Sequence, residues 1–70
     1  MNGNLLKGTI ISKGYTVEGF CKEAEFSKTS FYRKIEGVSE FTRKEIERIV
    51  SILQLCTDEI MAIFFTKKVS

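Results

Sequence analysis

The segment from Ser27 to Lys34 carries Lys28, Arg33 and Lys34, the hydroxyls of Ser27, Thr29, Ser30 and Tyr32, and no acidic residue. Such a set suits the edges of base pairs. Lysine or arginine donates to guanine O6 and N7, and a threonine methyl group packs on the thymine methyl. At about 100° per residue in a helix, Thr29 and Arg33 point nearly opposite Phe31 and Ile35, with Lys28, Tyr32 and Glu36 beside them. Charge along the chain is divided in the same sense. Residues 1–34 hold six basic and three acidic residues, and residues 35–70 hold five and six. The net charge is only +2, so electrostatics alone would not name a nucleic-acid binder; the local asymmetry carries the signal.

Other chemistries are poorly served. Histidine is absent, which removes the commonest metal ligand and general base. The nine carboxylates form no constellation distinct from exposed helix charge, and no Gly-rich phosphate loop or nucleophile motif exists. No enzyme, metal, cofactor or small-molecule substrate is therefore expected. Cys21 and Cys56 cannot supply the four ligands of a structural zinc site. They read as two small buried apolar side chains with free thiols rather than as one disulfide. No run approaches the roughly 20 apolar residues of a membrane span, and Met1-Asn2-Gly3-Asn4 lacks signal-peptide character. A single cytoplasmic domain over 1–70 is expected from 70 residues that are 43% apolar.

The elements that must hold the basic segment follow from helix-start signals. Thr42 and Glu45 make a capping box, with Phe41 and Ile46 as its hydrophobic staple. The same staple spacing recurs as Tyr15 and Phe20 about Thr16, Phe26 and Phe31 about Ser27, and Cys56 and Met61 about Thr57. Ile46, Ile49, Val50 and Leu53 form an amphipathic stripe, and Gly14 and Gly37 stand where helix C-terminal glycines belong. The chain is thus predicted all-α, with helices over about 4–13, 17–24, 28–36, 43–54 and 58–65. Ile63-Phe64-Phe65 also carries strand propensity. The predicted core is Leu6, Ile10, Tyr15, Phe20, Cys21, Ala24, Phe26, Phe31, Ile35, Phe41, Ile46, Ile49, Val50, Leu53, Ile60 and Phe64.

Thr16 and Ser27 stand 11 residues apart, which is the spacing of a helix-turn-helix. Cys21 and Ala24 supply the small side chains that let two short helices cross closely. The stretch Thr16-Val17-Glu18-Gly19-Phe20-Cys21-Lys22-Glu23-Ala24-Glu25-Phe26-Ser27-Lys28-Thr29-Ser30-Phe31-Tyr32-Arg33-Lys34-Ile35-Glu36-Gly37 resembles the helix-turn-helix of phage Cro/repressor-type regulators. Its second half, with Glu40-Phe41-Thr42-Arg43-Lys44-Glu45-Ile46 and the ending Ile63 to Ser70, is similar to small Cro-like proteins of Gram-positive phages and prophages. The resemblance implies a compact five-helix lambda-repressor-like domain. It also implies a transcriptional regulator that binds double-stranded operator DNA through the helix at about 28–36. With no room for an effector domain in 70 residues, repression by occluding polymerase is the expected mode. Two positions depart from the pattern. Glu25 occupies the turn site usually given to glycine, and Gly19 lies inside a helix.

Lys28, Thr29, Arg33 and Tyr32 are the expected base-contacting residues; Tyr32 could equally stack on a sugar or cover the domain's edge. Ser27 can meet phosphate through the amide end it caps, and Ser30 joins the phosphate set. The resemblance implies a phosphate contact for Thr16. Arg43 and Lys44 oppose the helix dipole, an arrangement that phosphate would relieve. Lys67 and Lys68 read as a solvated tail. Met61 and Phe65 form a second apolar stripe, the expected interface of a weak homodimer. A protein-interaction module without DNA binding, an antirepressor or adaptor, is the alternative function.

Overall fold

The computed structural model describes residues 1–65. Among them are five α-helices and no strand: α1 (Gly3–Ser12), α2 (Val17–Ala24), α3 (Lys28–Ile35), α4 (Arg43–Leu53) and α5 (Thr57–Phe64). The sheet alternative for residues 63–65 is overturned, because α5 runs through Ile63 and Phe64. Among the described residues, no helix is long and apolar enough to cross a membrane.

Four helices end in one way. In each, a residue takes the left-handed conformation, and the next N–H donates to a carbonyl five residues earlier: Tyr15 to Ile10, Phe26 to Cys21, Val38 to Arg33 and Leu55 to Val50. This is the Schellman closure. Glycine supplies the left-handed residue at Gly14 (φ 93°) and Gly37 (φ 88°), but Glu25 (φ 62°) and Gln54 (φ 53°) supply it elsewhere. At three of the four ends the closing apolar residue also precedes the next N-cap. Tyr15, Phe26 and Leu55 therefore finish one helix and staple the following one. After α3 the two jobs separate. Val38 closes the helix and stays exposed, while Phe41 staples α4.

The capping box at Thr42 and Glu45 forms as read from sequence. The start of α5 does not. Its N-cap is Cys56, not Thr57, and the Glu59 carboxylate accepts from the Cys56 N–H at 3.0 Å. The staple shifts to Leu55 and Ile60. Leucine wins over cysteine because it buries more apolar area, and Leu55 enters the core. This one-residue shift leaves Cys56 exposed, contrary to the buried position expected for it.

At the other end, Asn2 caps α1 through Oδ1, which accepts from the Leu5 N–H, and its own N–H donates to the Ile63 carbonyl at 2.7 Å. The helix thus begins earlier than predicted and is tied to α5.

The core is one cluster of Leu6, Ile10, Phe20, Cys21, Ala24, Phe31, Ile49, Leu53, Leu55 and Ile63. Leu55 and Ile63 add to the core predicted from the sequence. Tyr15, Phe26, Ile35, Phe41, Val50, Ile60 and Phe64 pack around it half-buried; Ile46, expected in the core, is half-buried but not part of this packing. So small a domain has more rim than interior. Burial pushes the Cys21 thiol above its ordinary value.

Candidate nucleic-acid interface

α3 owes its orientation to aromatic contacts. Phe31 is fully buried, with its ring centroid 5.4 Å from Phe26, 5.7 Å from Phe20 and 5.9 Å from Phe41. Pinning Phe31 inward turns Lys28, Thr29 and Arg33 outward, and all three are exposed. Arg33 is in no ion pair among the described residues, whereas Lys28 lies 3.5 Å from Glu18 of α2 across solvent. That pair is worth little, and it shows that the first turns of α2 and α3 are neighbours.

The turn between these helices is fixed from outside. Arg48 of α4 donates through Nη1 to the Ala24 carbonyl at 2.7 Å. The guanidinium therefore satisfies one of the carbonyls left open at the end of α2.

Lys34 does not belong to the outer face. Its ammonium lies 2.6 and 2.7 Å from the two carboxylate oxygens of Glu45, and about 5.8 Å from the ring centroids of Phe26 and Phe41. Two of the three cations in the 27–34 segment therefore remain on the surface. Burial pushes the Glu45 carboxyl up. Hydrogen bonds from Lys34 and the Thr42 N–H, with the charge of Lys34, outweigh it and hold the carboxyl below its ordinary value. The pair also sets the first turn of α4 against the last turn of α3. Arg43 and Lys44, exposed in that first turn of α4, are thereby brought near the end of α3, with Arg43 Nε 3.7 Å from Glu47.

Thr16 and Ser27 cap α2 and α3, each hydroxyl oxygen accepting an amide at 2.9 and 3.2 Å. Both residues are exposed, and each hydroxyl keeps its proton to donate. Ser30 is half-buried. Tyr32 is half-buried as well, and Lys7 of α1 holds its ammonium 5.8 Å from the Tyr32 ring centroid. Nothing in the spacing of residues 7 and 32 announces this meeting in the sequence.

Met61 and Phe65 are 53% and 61% exposed, so Phe65 does not fold back onto its own core. Lys67 and Lys68 lie outside the described residues. No three His, Cys, Asp or Glu side chains among the described residues gather into a metal-sized group. Comparison with family models, with curated proteins and with solved structures gives no match.

Proposed function

We propose that this chain is a sequence-specific double-stranded DNA-binding regulator, a small Cro-like repressor acting in the cytoplasm. In it, α2 and α3 serve as the helix-turn-helix of a lambda-repressor-like domain. The observation that carries this is the face of α3: Lys28, Thr29 and Arg33 project outward from a helix anchored by the buried Phe31, with no carboxylate between them. α3 lies in the major groove. Lys28, Thr29, Arg33 and the outer edge of Tyr32 meet the base edges. Thr16, Ser27, Ser30, Arg43 and Lys44 meet the phosphates on either side.

One short helix offers few base contacts, and a two-fold pair reading a palindrome doubles them. The exposed Met61 and Phe65 supply the apolar patch for a weak isologous homodimer.

Selection of bound duplexes from a random pool tests both parts. An enriched palindrome is the expected result. No preference over random duplex, even at low salt, rejects sequence-specific binding and favours the protein-interaction alternative. Sedimentation of wild type and Phe65→Ala with the selected duplex tests the dimer. Binding of one protomer per palindromic site would remove it.

A further inference from the structure

We infer that Lys7 in α1 is a further phosphate-contacting residue of the α3 face, held in place by the Tyr32 ring. This rests on the DNA-binding function proposed above. Lys7 precedes the residues that resemble a helix-turn-helix and belongs to a different helix.

Two contacts bring it there. Gly3, at the start of α1, lies so close to Ile35 that a methyl group in its place would collide with the Ile35 carbonyl oxygen. One turn further along α1, Lys7 reaches Tyr32, nearly one turn back along α3. The two helices pass in opposite directions at close range, and Lys7 is delivered to the Tyr32 edge of the α3 surface.

The charge of Lys7 is held but not neutralised. The four ion pairs among the described residues engage Lys13, Lys28, Lys34 and Arg43. Lys7 is in none of them, although it is half-buried. Its ammonium instead lies over an aromatic face, which attracts a cation without cancelling its charge. A lysine ammonium is a compact point charge that binds phosphate without base preference. The ring fixes its position, so little side-chain freedom is lost when phosphate arrives.

The test is the salt dependence of duplex binding. Wild type, Lys7→Gln, Tyr32→Phe, Tyr32→Leu and Lys7→Gln/Tyr32→Leu are titrated with the selected duplex and with a random duplex over a range of salt. Lys7→Gln should weaken both duplexes by the same factor and reduce the log–log salt slope by about 0.9. Tyr32→Phe, whatever affinity it loses with its base contact, should keep the wild-type slope, because the ring that holds Lys7 remains. Tyr32→Leu should lose as much slope as Lys7→Gln, and the double variant should lose no more. An unchanged slope in Lys7→Gln, with wild type binding normally, overturns the inference alone. A full slope in Tyr32→Leu overturns the role of the ring. Wild type that binds no duplex at low salt overturns the DNA-binding function and this inference with it.

Discussion

The Lys34 ammonium sits between both carboxylate oxygens of Glu45, at 2.6 and 2.7 Å, with only 12% of the lysine side chain and 21% of the glutamate exposed. The same carboxylate accepts from the Thr42 N–H at 2.8 Å. One acidic group thus starts α4, anchors the end of α3 and withdraws a cation from the outer surface.

That arrangement sets an acid limit on stability. Because the folded Glu45 carboxyl lies below its ordinary value, its contribution is full above about pH 4.3 and is lost as pH falls through the folded value. Glu45→Gln should cost about 1–3 kcal/mol near neutrality. Thermal melts of the two proteins should converge on acidification. A deficit still undiminished at about pH 2 would show that the carboxylate's charge is not responsible.

The same substitution in one helix should have opposite signs at two sites. At Gly8 a methyl group would meet nothing within 4 Å, whereas at Gly3 it would strike the Ile35 backbone. Gly8→Ala should stabilise by about 1 kcal/mol through helix propensity. Gly3→Ala should destabilise by about 1–3 kcal/mol, as α1 is pushed from α3. Chemical denaturation of both variants decides; equal and favourable shifts would refute the close approach.

Glu25 holds a left-handed backbone at the α2–α3 turn (φ 62°), a conformation unfavourable for residues with a Cβ. Glu25→Gly should relieve it and stabilise by about 1 kcal/mol. In a domain of this size that is a rise of roughly 4–8 °C in Tm. A lower Tm would mean that the Glu25 side chain supplies contacts worth more than the strain.

The two thiols should differ in reactivity. Cys56 is exposed and Cys21 buried with a raised value, and the thiolate is the reactive form. Iodoacetamide should label Cys56 in the native protein and Cys21 only after unfolding, as read by mass spectrometry. Equal native labelling would contradict the packing around Cys21.

Within the proposed interface, Arg33→Ala should cost about 1–3 kcal/mol on the selected duplex and much less on random duplex. Arg43→Ala should weaken both alike and flatten the salt slope. Uniform losses in both variants would show that Arg33 reads no base.

The capping signals about Thr16, Ser27 and Thr42 lie within five residues of their partners, so the amino-acid sequence alone determines where α2, α3 and α4 begin. Helical geometry then turns Thr29 and Arg33 away from Phe31, and this much of the interface is legible without coordinates. Gly14, Gly37 and the strained Glu25 also follow from local rules. The start of α5 does not. Its local signals point to Thr57 as the cap, and the cap falls on Cys56 because the rest of the domain buries Leu55. The inward turn of Lys34, the support of Ala24 by Arg48 and the meeting of Lys7 with Tyr32 join residues 11, 24 and 25 positions apart. Hydrogen bonds within one helical turn are fixed by the identity of near neighbours. Contacts between helices depend on how five apolar faces share one small core, and only the packed chain decides that.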